Sequence, residues 1–158
     1  LEKGYSKEEI LLKINTKGRD NARRPMQWTA EKNAGFTTGT PWIDVNPNYQ
    51  TINVAAALAD KNSLFYTYQE MIRLRKEHPL IVWGNFELLE TVDEVISFYR
   101  TYGEERWLVV TNFSDKVQPF SADVHVEQVM IENMPTDVTA LADYSLAPWQ
   151  AFVVKVSQ

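Results

Sequence analysis

The chain has 158 residues, 44% of them apolar and 23% charged, with a formal net charge of −5. This suits one soluble domain, or a domain with an appendage, around a buried core. The acidic balance argues against a nucleic-acid partner, no apolar run approaches the ~20 residues of a membrane span, and the lack of cysteine excludes disulfides, a thiolate nucleophile and cysteine-ligated metal.

A cysteine-free chain fits a reducing compartment, and cytoplasmic localisation is the expectation. The opening Leu1-Glu-Lys-Gly4 carries neither an initiator Met nor a signal-peptide pattern, and reads as the start of an excised fragment. Asn112-Phe-Ser114 matches a glycosylation sequon, which has little weight without a secretory signal.

Ser6-Lys-Glu-Glu9 is a capping-box pattern, and Ile10, Leu11 and Ile14 follow at helical spacing. A helix is predicted over residues 6–17, closed by Gly18 in a left-handed conformation. From Gly18 to about Leu58 the turn signals Arg-Arg-Pro, Asn-Ala-Gly, Thr-Thr-Gly-Thr-Pro and Asn-Pro-Asn follow one another. Roughly 40 residues without regular structure is beyond the usual loop length. Met26, Trp28, Phe36, Trp42, Ile43, Tyr49 and Ile52 are too many large apolar groups for a disordered tail, so an ordered, packed loop is expected.

Asp60 or Asn62 can cap a second helix, whose stripe runs Leu64, Phe65, Tyr68, Met71, Ile72 and Arg75. Pro79 is expected to stop it. The period then changes to two: residues 86–88, 96–100, 107–112, 124–131 and 151–156 read as strands, with Gly103-Glu-Glu as a hairpin turn. Many short strands without intervening helices imply an antiparallel sandwich or barrel, with a boundary near residue 79. Trp83, Trp107 and Trp149 are expected in the core or in inter-domain contacts.

Glycoside hydrolysis needs a pair of carboxylates flanking the scissile bond. None of the 21 acidic residues forms such a pair in a convincing setting, and Asp20 and Asp44 stand out only by lying in the aromatic loop. His78 and His125 are too few and too far apart for a metal site. No motif implies a cofactor. The segment Gly18-Arg-Asp-Asn-Ala-Arg-Arg-Pro-Met-Gln-Trp28 sets three arginines, an aspartate and two amides beside an indole. Sugar recognition uses that combination, with planar hydrogen bonding to adjacent hydroxyls and an aromatic face for the C–H surface. The alternative is an ionic latch, Asp20 bonded to Arg19, Arg23 or Arg24.

Arg19-Asp-Asn-Ala-Arg23, Pro25-Met-Gln-Trp28, Asn33-Ala-Gly-Phe-Thr-Thr-Gly-Thr-Pro-Trp-Ile43, Val45-Asn-Pro-Asn-Tyr49 and Ile52-Asn-Val54 together resemble one stretch of the bacterial oligo-1,6-glucosidases of the α-amylase superfamily. Dextran glucosidases, other α-glucosidases and trehalose-6-phosphate hydrolases share it. Leu74-Arg-Lys76, Ile81-Val-Trp-Gly84 and the run ending Asn112-Phe-Ser114 extend the match from about residue 5 to residue 114.

The resemblance implies a mixed fold, an N-terminal helical and loop remnant of a (β/α)8 barrel followed by an all-β antiparallel sandwich domain. Residues 1–78 correspond to the loop after the eighth barrel strand plus the last barrel helix, and residues 79–158 to the C-terminal β domain. It places the catalytic carboxylates upstream, so that no catalytic residue lies in this chain. It gives Arg23 contact with the non-reducing terminal glucose and pairing with an upstream aspartate. Arg19, Asp20, Asn21 and Trp28 shape the loop, and Trp42 helps to pin it. Arg24 and Thr29 depart from the family pattern, which commonly has Thr and Asp there.

Three functions follow. The first is part of a retaining exo-acting α-glucosidase on isomaltose-type oligosaccharides, or a relative such as a trehalose-6-phosphate hydrolase. The second is a non-catalytic carbohydrate-binding module. The third is a β domain that braces the barrel. On its own the chain is expected to self-associate through the apolar face of the residue 64–75 helix.

Overall fold

The computed structural model describes residues 4–135 and 139–157, with residue 21 described by its backbone alone. It divides into two compact units, Leu1–Tyr68 and Gln69–Gln158.

The first unit is built by hydrogen bonds more than by a core. Its helix α1 spans Lys7–Lys17. The capping box forms as predicted: the Glu9 N–H donates to Ser6 Oγ (3.1 Å), and the Ser6 N–H donates to the Glu9 carboxylate (2.8 Å). Gly18 corrects the expectation of a left-handed cap, since its backbone is extended (φ −64°, ψ 131°). Its small size is still used, because a Cβ there would sit 2.4 Å from the Ile14 carbonyl oxygen.

Three 3-10 turns follow, at Asp20–Arg23, Lys32–Gly35 and Pro47–Gln50, and then a short helix α2, Val54–Ala59, capped by Asn53. The segment is therefore less irregular than its turn signals imply. Among the described residues of this unit only Pro25, Ala34 and Asn53 are buried. Met26, Trp28, Phe36, Trp42 and Ile52 remain exposed.

Helix α3, Leu64–Glu77, carries the predicted apolar stripe. Asp60 and Asn62 do not cap it. Asp60 Oδ1 instead accepts from the Asn62 N–H, in the turn that ends α2. The stripe residues Leu64, Phe65, Tyr68, Met71 and Ile72 are all exposed, and Leu74 alone on the helix is buried. Arg73 pairs with Glu70 and Glu77 along the outer face, which holds the Glu70 carboxyl below the usual carboxylate range.

The second unit continues from the later turns of α3. Pro79 does end that helix, but it also starts another, α4, Pro79–Trp83. Proline at the first helical position loses no hydrogen bond, and its fixed φ is already helical.

Seven strands follow: β1 (Asn85–Leu88), β2 (Val95–Tyr102), β3 (Glu105–Asn112), β4 (Gln118–Phe120), β5 (His125–Glu132), β6 (Tyr144–Leu146) and β7 (Ala151–Ser157). Five form one antiparallel sheet in the order β1-β2-β3-β7-β5, and β4 pairs with β6. The predicted hairpin turn joins β2 to β3, with Tyr102 opposite Glu105.

Both faces of the large sheet are apolar. One carries Tyr99, Leu108, Val110, Phe152 and Val154, packed with Phe120 of β4 and Leu146 of β6. The other carries Trp107 and Val153 against Leu74 of α3 and Leu80 of α4. The helices only partly cover this second face, leaving a groove of about 470 Å³ lined by Met71, Phe86, Phe98, Trp107 and Val109 among others.

Trp107 is 2% exposed, whereas Trp83 and Trp149, at 74% and 57%, are not core residues. Trp83 closes the short helix α4, and Trp149 sits in a turn at φ 58°. Asn112 of the sequon is buried, and its amide nitrogen donates to the Lys116 and Ala147 carbonyls (2.8 and 2.9 Å), so it is committed to the fold. No helix among the described residues is long and apolar enough to cross a membrane.

Among the described residues, one buried side-chain oxygen has no hydrogen-bond partner. It is the hydroxyl of Ser97 in β2, a fully buried residue. A buried unpaired hydroxyl costs roughly 1–3 kcal/mol. Ser97→Ala is expected to stabilise the chain by about 1 kcal/mol, read as a higher urea midpoint at unchanged slope. A lower midpoint would show that the hydroxyl is satisfied in solution.

Candidate functional site

The Asp20–Arg23 turn opens with Arg19, whose carbonyl accepts the Ala22 N–H at 3.1 Å. Arg24 follows in an extended conformation (φ −60°, ψ 151°), as a residue before proline prefers. The proline itself, Pro25, is buried and anchors the exit from the turn.

The chain then makes a left-handed turn. Asn33, Ala34 and Gly35 all have positive φ, and the Ala34 carbonyl accepts from the N–H groups of both Trp28 (2.9 Å) and Thr29 (3.0 Å). Gly35 is required twice over, by φ 67° and by a Cβ position only 2.6 Å from Thr29 Oγ1. Asn33 Nδ2 donates to the carbonyls of Thr37 (3.0 Å) and Gly39 (2.7 Å), which shapes the approach to Pro41 and Trp42.

Side-chain amides hold the rest. Gln27 Nε2 donates to Asn48 Oδ1 at 3.0 Å and to the Ile52 carbonyl, and Asn53 Nδ2 donates to the Tyr49 carbonyl at 2.9 Å. The carbonyls of Gln27 and Trp28 accept the first two N–H groups of α2 (2.9 and 3.0 Å).

This scaffold brings Asp20, Arg23, Arg24, Trp42, Ile43 and Asp44 around one open depression of about 420 Å³. Two guanidiniums and two carboxylates thus share a depression with an indole that is 98% exposed. The four charged groups balance, and none of them hydrogen-bonds or ion-pairs with another described residue. Donors and acceptors are left available beside an apolar ring, the chemistry that neutral polyhydroxylated ligands require.

Of the residues singled out in the sequence, Asp20 and Arg23 line the depression, and Asp44 joins them from 20 or more positions downstream. Arg19 and Trp28 lie outside its lining. Trp28 acts in the loop through its backbone, as donor to Ala34 and acceptor from Ala55. The side chain of Asn21 lies outside the described residues.

The ionic latch is not formed: among the described residues Asp20 pairs with none of Arg19, Arg23 and Arg24. The amides of Gln27, Asn33, Asn48 and Asn53 order the loop instead. Their signal in the sequence is the density of Asn and Gln among turn residues, where short amide side chains replace backbone partners.

The sequence profile of the alpha amylase catalytic domain matches residues 1–84. The chain is 49% identical over 156 residues to a glucan 1,6-alpha-glucosidase of Streptococcus pneumoniae, covering 99% of this chain and 29% of that protein. It is 47% identical over 161 residues to an oligo-1,6-glucosidase of Parageobacillus thermoglucosidasius, covering 98% and 29%. The crystal structure of the Bacillus licheniformis trehalose-6-phosphate hydrolase superposes with a TM-score of 0.81 at 36% identity, over 99% of this chain and 30% of that one. The chain therefore spans less than a third of the length of the relatives it matches.

Proposed function

We propose a function from one premise: this chain belongs to the α-amylase family. It is the C-terminal part of a retaining, exo-acting α-glucosidase that hydrolyses α-1,6-linked oligosaccharides. The catalytic carboxylates lie elsewhere in that enzyme, and this chain supplies a substrate contact and a bracing domain. The similarity to a glucan 1,6-alpha-glucosidase and to an oligo-1,6-glucosidase supports the linkage. The similarity to a trehalose-6-phosphate hydrolase supports the second reading, the same chemistry on a phosphorylated disaccharide.

The observation that carries the proposal is the depression in which Arg23 stands free beside Asp20, Arg24, Trp42 and Asp44. Arg23 hydrogen-bonds the hydroxyls of the terminal glucose through a planar fork, and pairs with an aspartate of the catalytic domain. Arg19, Asp20, Asn21 and Trp28 shape the loop that presents it. Residues 1–78 form the end of a (β/α)8 barrel and residues 79–158 a C-terminal β sandwich. The end of the profile match at residue 84, just before β1, supports a division in this region. Active sites on barrels sit on the loops that follow the strands, which suits this loop. The enzyme acts in the cytoplasm, a setting compatible with a chain that has no cysteine.

Assayed alone, the chain is expected to leave an aryl α-glucoside intact and to show no saturable binding of isomaltose, while the full-length enzyme turns both over. Turnover by the chain alone would overturn the assignment of catalysis to the remainder. Saturable binding would favour a carbohydrate-binding module. The exposed stripe of α3 also leads the isolated chain to self-associate, so sedimentation should give a mass that rises with concentration. A monomer at every concentration would refute that.

A further inference from the structure

We propose that Arg24 is a specificity-determining residue of this site: it hydrogen-bonds the second sugar of a neutral oligosaccharide, with Trp42 as the apolar wall facing it. The inference rests on the proposed function, which assigns the terminal glucose to the neighbouring Arg23.

The geometry of Arg24 carries it. Its backbone is held between the Asp20–Arg23 turn and the buried Pro25, so its side chain starts from a fixed direction. The residue is half-buried and lines the depression, yet it makes no hydrogen bond or ion pair with a described residue. A guanidinium that bonds to no described residue leaves its planar fork of donors available to a ligand.

Trp42 lines the same depression, and its ring is almost wholly uncovered. A volume of about 420 Å³ lies within the roughly 300–1,000 Å³ range of small-molecule pockets. Asp20 and Asp44 decide the charge of the ligand. They offset both arginines, and a phosphorylated sugar would meet two carboxylates as well as two guanidiniums. A neutral glucoside meets donors and acceptors in equal supply.

The test is Arg24→Thr in the full-length enzyme, assayed on an isomaltose-type trisaccharide, an aryl α-glucoside and a phosphorylated disaccharide. Loss of a charged hydrogen bond to the second sugar is expected to raise KM for the trisaccharide about 10-fold, with kcat changed less than about 2-fold. The aryl glucoside, which has no second sugar, should keep kcat/KM within about 2-fold. Arg24→Lys should recover part of the trisaccharide affinity. Equal losses on trisaccharide and aryl glucoside would make Arg24 a structural residue and overturn the inference, as would no loss on either. A loss confined to the phosphorylated disaccharide would overturn the neutral-sugar assignment. Arg23→Ala in parallel separates the two readings: normal activity there sinks the proposed function, whatever Arg24→Thr does.

Discussion

Arg23→Ala in the full-length enzyme is expected to lower kcat/KM by about two orders of magnitude on every α-glucoside, with the fold intact. A hydrogen bond from a charged donor contributes about 1.5–3 kcal/mol, and each 1.36 kcal/mol lost from transition-state stabilisation is about tenfold in rate. A guanidinium that bridges two hydroxyls and a carboxylate reaches or exceeds the upper part of that range. The second half of the expectation follows from exposure. Arg23 ends a 3-10 turn, is exposed, and its side chain bonds to no described residue, so truncation removes nothing that holds this chain together. Kinetics on the purified variant, with its melting temperature measured beside them, check both halves. Near-normal kcat/KM would refute the role, and a large fall in melting temperature would make it structural. Arg23→Lys should restore only part of the activity, because a point charge cannot reproduce the planar fork.

Trp107→Ala should be the most destabilising substitution in the second unit, at about 3–5 kcal/mol. The ring is 2% exposed and packs with Leu74 and Leu80, the two buried side chains that α3 and α4 send onto this face of the sheet. His78 lies on it at 4.6 Å between ring centroids, and its indole N–H donates to the Glu105 carboxylate at 2.9 Å. His78 Nδ1 meets the same carboxylate oxygen at 3.1 Å. Removing the indole therefore opens a cavity beneath both helices and takes a donor from a half-buried carboxylate. Trp107→Phe keeps most of the apolar surface and loses the N–H, so it should cost about 1–2 kcal/mol. Urea titration of both variants separates packing from hydrogen bonding. A loss under about 1 kcal/mol for Trp107→Ala would mean that Leu74 and Leu80 do not pack on the indole in solution.

The elements that sequence reasoning recovered are those whose signals are local. The capping box at Ser6 and Glu9, the stripe of α3, and the long strands β2, β3, β5 and β7 all declare themselves within one window. The short strands β4 and β6, of three residues each, gave no such signal. Their alternation is too brief to detect, and Pro119 argues against a strand in β4. They exist because Phe120 and Leu146 complete the core over the large sheet. Pro79 ends α3 as its sequence context predicts and also begins α4, because a proline that ends one helix is equally suited to begin the next.

For the site, residue types and their order were enough to mark the loop and to connect it with a family, and the comparisons support that connection. They marked Arg23 and Trp42 through the family string, while Asp44 shared only a long loop with them. The left-handed turn at Asn33–Gly35 and the amide bonds of Gln27, Asn33, Asn48 and Asn53 bend the chain until these residues surround one depression. Local propensity decides where a helix caps and where a strand alternates, since those energies act between near neighbours. Which charged side chains stay unpaired beside an exposed indole depends on bonds closed across 20 or more positions, and only the tertiary structure decided that.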